Sequence, residues 1–113
     1  MLNSSDILRG YTDTIILAQL AKEDSYGYLI SKHVKETTRG ELQLKEATLY
    51  TTFRRLESAG VIESYWGDEH SGARRRYYHL TQAGRKLYEE NLTDWRRYRA
   101  IISQLIGMED DAR

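Results

Sequence analysis

Cysteine and proline are both absent from the 113 residues. A chain without cysteine has no disulfide framework, no thiolate metal site and no cysteine nucleophile, and it is compatible with a reducing compartment. No low-complexity tract and no internal repeat is present, which removes solenoid arrays from the possible architectures. No apolar run approaches the roughly 20 residues that a membrane helix needs. The opening MLNSSDILRG has neither the charged start nor the long apolar stretch of a secretory signal. The chain is therefore expected in the cytoplasm, with no membrane partner. An excess of charge of either sign is also missing, since 17 basic and 17 acidic residues leave a formal net charge of zero. Many nucleic-acid-binding domains are basic overall, so this balance argues mildly against such a partner. DNA responds to the local field at its groove, however, and the charges have to be read by segment.

Enzymatic signatures are lacking as well. His33, His70 and His79 show no metal-ligand spacing, the carboxylates are scattered, and there is neither a glycine-rich phosphate loop nor a nucleophile elbow. No catalysis, metal or cofactor is expected.

What is present is the pattern of one small globular domain, 40% hydrophobic and 30% charged. Leu8, Tyr11, Ile15, Leu17 and Leu20 fall at helical spacing and predict a first helix over roughly 6–22. Ser25 has the chemistry of an N-cap for a second helix that buries Leu29, Ile30 and Val34 and frays before Gly40. ELQLK (41–45) alternates and predicts a short strand. A third helix runs from Glu46 to Ala59, with Gly60 placed for a left-handed C-terminal cap. VIESYW (61–66) and RRYYHL (75–80) predict a β-hairpin joined by a long loop over 67–74. Thr81 can cap a last helix to about Ile106, in which Tyr88, Trp95, Tyr98, Ile102 and Leu105 recur at heptad spacing, interrupted by Asn91. The fold class expected is mostly α with a small β wing (α+β): a winged helix-turn-helix over 1–80 and a long C-terminal dimerisation helix with a short tail over 81–113.

Leu49, Phe53 and Leu56 share one face of the third helix, while Thr48, Thr51, Arg55 and Ser58 are expected on the other. Threonine is a poor helix former. Thr48, Thr51 and Thr52 make sense where short hydroxyl side chains lie close to a groove floor, and Arg54 and Arg55 are long enough to reach guanine edges or phosphates. A solvated surface ridge is the alternative. In the hairpin, Arg74 and Arg76 fall on one strand face and Arg75 on the other, beside Tyr77 and Tyr78. A cationic wing tip of this kind suits the phosphate backbone, although Asp68 and Glu69 weaken its field. Lys45 is a poor N-cap whose charge opposes the helix dipole; a nearby phosphate and simple tolerance both account for it. On these residues, Arg55 is expected at a base edge and Arg75 on phosphate.

The segment EATLYTTFRRLESAGVIESYWGDEHSGARRRYYHLTQAGR (46–85) resembles the core of the PadR family of transcriptional regulators. The likeness rests on the TLY start of the recognition helix, the RLE…G.I turn into the wing and the RRYY.LT..G strand and cap. Over roughly 5–106 the chain is similar to the small subgroup with a single C-terminal helix, which includes a lactococcal multidrug-binding repressor. The resemblance implies a homodimer built from the first and last helices and a recognition helix in each of two major grooves of double-stranded operator DNA. It also implies repression of a transporter or detoxification gene. Contacts to DNA are then expected from Lys45, Thr48, Tyr50, Thr51, Arg54, Arg55, Arg74, Arg75 and Arg76. It further implies that Trp95 pairs across the two-fold axis and sandwiches a small planar hydrophobic ligand, with Ile7, Leu8, Asp13, Leu92 and Arg99 completing the pore. Where the multidrug repressor carries an acidic residue one turn beyond that tryptophan, this chain has Arg99, and Asp13 stands where the relative has a neutral amide. Either Asp13 and Arg99 neutralise one another or Arg99 selects an anionic ligand. A winged-helix protein-interaction module without DNA readout is the competing reading; it would be expected to expose apolar residues where this chain exposes arginine.

Overall fold

The computed structural model describes residues 8–68 and 74–108. Leu8 is the first described residue, and the chain then turns through Gly10 (φ 85°), with the Tyr11 N–H donating to the Leu8 carbonyl at 2.8 Å. Helix α1 follows as Thr12–Lys22. The single helix expected over 6–22 is thus broken. A left-handed residue cannot be continued by α-helical hydrogen bonds, and glycine takes that conformation without a Cβ clash.

Helix α2 is Gly27–Thr37 and helix α3 is Glu46–Ser58. Strands β1 (Ile62–Asp68) and β2 (Arg74–Leu80) pair antiparallel, with Ile62 opposite Leu80 and Trp66 opposite Arg76. Helix α4, Gln82–Leu105, begins at Thr81, whose side chain accepts from the Gly84 N–H at 3.0 Å, as an N-cap threonine should. The order of elements is that of a winged helix-turn-helix followed by one long helix, an α+β arrangement with four helices and one two-stranded sheet among the described residues.

Two local expectations fail for one shared reason. Ser25 is not an N-cap: Tyr26 holds that position with no side-chain cap. Instead the Ser25 backbone bonds to the backbone of Tyr78 in both directions, at 2.8 and 3.2 Å. Ser25 therefore occupies the sheet edge beside β2. Residues 41–45 form no strand, because that edge is taken and no partner ladder remains. Their alternation serves the core: Leu44 is buried, Leu42 packs against the core, and Thr38 Oγ1 accepts from the Leu42 N–H at 3.1 Å to hold the turn.

Phe53 stacks on Tyr78 at 3.9 Å between ring centres and, with Ile16, Leu17, Ile30 and Ile62, forms the heart of the core. Leu49, Thr52, Phe53 and Leu56 are the buried face of α3. Thr52, expected outside, is buried, and its hydroxyl donates to the Thr48 carbonyl at 2.8 Å. That local bond satisfies a group which burial would otherwise leave unpaired. Where α4 starts, a Cβ on Gly84 would stand 2.0 Å from the Val61 carbonyl oxygen, so only glycine lets the first turn of α4 lie against the α3–β1 junction. Gly84 is the only fully buried residue of α4.

Candidate nucleic-acid interface

With Leu49, Thr52, Phe53 and Leu56 anchoring α3, the 100° step per residue puts Ala47, Thr51, Arg54 and Ser58 on its outward ridge, and all four are exposed. Arg54 Nη2 donates to Thr51 Oγ1 at 3.4 Å. Thr48 and Arg55 fall on the flank that faces α1. Arg55 was expected opposite the core, but it makes a bidentate pair with Asp13 of α1, Nη1 to Oδ2 at 2.7 Å and Nη2 to Oδ1 at 2.6 Å. The Asp13 hydrogen bonds and charge hold the Arg55 guanidinium above its ordinary pKa. Tyr50 lies on the other flank, half exposed, with its ring edge-on to Phe53 at 5.8 Å. Lys45 is exposed immediately before the helix, and Lys45 and Thr48 line one cleft with Leu8, Arg9, Thr12, Gln43 and Leu44.

Alternation divides the wing into two faces, as the sequence predicts. On one face the Arg74 and Arg76 guanidinium carbons lie 5.3 and 5.9 Å from the Trp66 ring centre. Arg76 also donates to Ser64 Oγ at 2.8 Å and pairs with Glu57 of α3 at 3.6 Å, while the Ser64 hydroxyl donates to Glu57 at 2.6 Å. Through Glu57 this face is joined to α3. Trp66 escapes sequence reasoning, yet it shares strand parity with the arginines and lies directly opposite Arg76. A weighing of the two strands as a register would have found it.

On the other face Arg75 lies 4.7 Å over Tyr26, and Tyr77 stacks on Tyr65 and meets Tyr26 edge-on. Here Asp24 accepts from the Tyr65 hydroxyl at 2.6 Å and pairs with His79 Nδ1 at 2.8 Å. Burial works to raise the Asp24 carboxyl, but the bonds from Tyr65 and His79 outweigh it and leave it below its usual value. The same bond, with some burial, pushes Tyr65 up to about 12. Asp24 thus fastens both wing strands to the loop before α2. Glu69, His70 and the remainder of the loop over 69–73 lie outside the described residues.

Of the residues expected to form a ligand pore, Asp13 and Trp95 line one cleft of the protomer. Gly10, Tyr11, Asp13, Thr14, Asn91, Asp94, Trp95 and Tyr98 line a cleft of about 280 Å³ between the start of α1 and the middle of α4. Leu8 is a core residue, Leu92 is half-buried, and Ile7 lies outside the described residues. Within one protomer Asp13 turns to Arg55, and the Arg99 guanidinium lies 5.3 Å over the Trp95 ring. Tyr11, Asp94 and Tyr98 are cleft residues that sequence reasoning missed. Among the described residues no group of histidines and carboxylates could hold a metal ion, and no helix is long and apolar enough to cross a membrane.

Residues 16–90 match the family described as transcriptional regulator PadR-like. An uncharacterised protein of Lysinibacillus sphaericus is 44% identical over 106 residues, spanning 93% of this chain and 97% of its own length. A transcriptional regulator from Clostridium thermocellum superposes with a TM-score of 0.80 at 45% identity, covering 88% of this chain and 97% of that one. A PadR family regulator from Clostridium difficile gives 0.77 at 42% identity, covering 87% and 100%. The PadR of Bacillus subtilis in complex with operator DNA shares the fold at a TM-score of 0.65 and 24% identity, over 75% of this chain and 48% of its own.

Proposed function

The chain belongs to the PadR-like family of transcriptional regulators, and from that premise we propose that it is a sequence-specific repressor acting as a homodimer on double-stranded operator DNA. One observation carries the reading. Helix α3, with its exposed ridge Ala47–Thr51–Arg54–Ser58, is joined through Glu57 to a wing face on which Arg74 and Arg76 flank Trp66. Short side chains around one arginine fit a groove floor, and paired cations beside an aromatic plate fit a sugar–phosphate rim. In this reading Arg54 addresses a base edge, and Lys45, Arg55, Arg74, Arg75 and Arg76 address phosphates. Thr48, Tyr50 and Thr51 set the helix depth in the groove.

The proposal extends to control of a transporter or detoxification gene, with release by a small planar hydrophobic ligand at the dimer interface. Trp95, 39% exposed in one protomer, supports that part. It presents an aromatic face in a cleft that a two-fold partner would cover. Arg99 already lies over the indole, so a planar ligand stacks on the open face or displaces the guanidinium.

Fluorescence anisotropy with duplexes from the protein's own promoter region, over a salt series, tests the DNA reading. Arg54→Ala is expected to cost about 1–3 kcal/mol and to blur preference at one base pair. Arg75→Ala is expected to weaken every duplex alike and to lower the salt slope by about one unit. Equal affinity for promoter and scrambled duplexes overturns sequence-specific repression and returns the chain to the interaction-module reading.

A further inference from the structure

The Asp13–Arg55 pair joins two surfaces that are otherwise separate. Asp13 belongs to the first turn of α1, Arg55 to the DNA-facing helix, and the two are 42 positions apart in sequence. The Asp13 carboxylate takes both ends of the guanidinium fork, and it is also part of the wall of the cleft that holds Tyr11, Asp94, Trp95 and Tyr98. Neither partner is sealed away, with side-chain exposures of 58% for Arg55 and 32% for Asp13. Bidentate geometry engages two of the five guanidinium N–H groups and leaves three to donate elsewhere. A planar fork fixed at one edge loses little further freedom when its remaining donors meet a phosphate or base.

We infer that Asp13 is a positioning residue for Arg55 on DNA. This rests on the DNA reading above. Without the carboxylate the guanidinium swings freely and binds DNA less well.

The test is a double-mutant cycle on the intact protein, read as operator affinity for wild type, Asp13→Asn, Arg55→Gln and the double variant, with thermal unfolding of each as a control. Asp13→Asn is expected to weaken operator binding roughly five- to tenfold, the range of one well-made arginine contact, and to weaken a scrambled duplex less. Asp13→Glu restores most of the loss, and Asp13→Asn has no further effect once Arg55 is glutamine. Simple removal of a negative charge would instead strengthen binding to both duplexes in both backgrounds, and that result, or additive losses, overturns the positioning role. Wild-type protein that binds no promoter duplex overturns the DNA reading together with this inference. Wild type that binds the promoter duplex while the cycle is additive overturns this inference alone.

Discussion

Asp24 joins three segments through one side chain, taking the Tyr65 hydroxyl from β1 and the His79 ring from β2 while it sits in the loop ahead of α2. Its carboxyl is held below the usual value, so its contribution to stability is present above the ordinary carboxylate pKa of 3.8 and is lost as pH falls through the depressed one. Tyr65 is raised instead, so its share is present below its ordinary value of 10.0 and is lost as pH rises from there through about 12. Both side chains are substantially exposed, and after solvent screening the whole node contributes about 1 kcal/mol or less. Asp24→Asn should therefore lower the melting temperature by a constant small amount across neutral pH. The difference from wild type should shrink at both extremes, which thermal unfolding across a pH series checks. A constant difference at every pH would show that the node acts by packing rather than charge. None of these three residues stands out in the sequence, because a carboxylate, a phenol and an imidazole 41 and 55 positions from it become a cluster only when the hairpin folds over the loop.

At the scale of elements, the elements themselves were legible and their junctions were not. The apolar spacing Leu49, Phe53, Leu56 identifies α3, and the alternation in RRYYHL identifies β2, because helix and strand periods appear directly in which side chains must be buried. Residues 41–45 alternate too, but a strand also needs an open ladder, and Ser25 fills the place beside Tyr78. Gly84 is the sharpest junction. It lies two residues into a helix where alanine would be the better helix former, yet a Cβ there collides with the Val61 carbonyl and with Leu80 Cδ1 at 2.6 Å. Gly84→Ala is expected to destabilise the fold by about 2–3 kcal/mol in chemical denaturation, against the small gain that propensity alone would bring. A stabilised variant would mean that α4 shifts without loss and does not depend on this contact.

For the whole molecule, the decisive feature is how little of α4 the rest of the chain covers. Past its first turns the helix exposes Tyr98 and Ile102 at 54%, Leu105 at 76%, and beyond it Ile106 at 66% and Met108 at 64%. A contiguous apolar face of this kind marks an interface, and a two-fold partner is the economical way to bury it in a small chain. Ile102→Asp combined with Leu105→Asp is expected to give a monomer that keeps its winged helix, seen as a halved sedimentation mass with retained helical signal, and to lose operator affinity because the two recognition helices are no longer tied about 34 Å apart. A wild-type protein that sediments as a folded monomer at micromolar concentration overturns the dimer. Within the proposed dimer, Trp95→Ala should keep operator binding while losing the stacking site for planar dyes. The signal is tryptophan fluorescence quenching in a background where Trp66 is replaced by phenylalanine, and unchanged dye affinity would move the ligand site elsewhere.

The sequence by itself determined the three later helices and the hairpin, the caps at Thr81 and Gly60, the division of the wing arginines between two faces, and the motif TLY…RLE…RRYY.LT..G that carries the family. All of these depend on neighbours within a few residues, where backbone geometry turns spacing directly into direction. Only the tertiary structure decided which charges meet. Asp13 faces Arg55 rather than Arg99 because α1 packs beside the recognition helix, while Arg99 settles over Trp95 one turn away on its own helix. Arg54, not Arg55, stands at the centre of the outward ridge because burial of Thr52 rotates the helix about its axis. Long-range pairs are set by how packed faces orient the helices, and a list of residues in order carries no such angle.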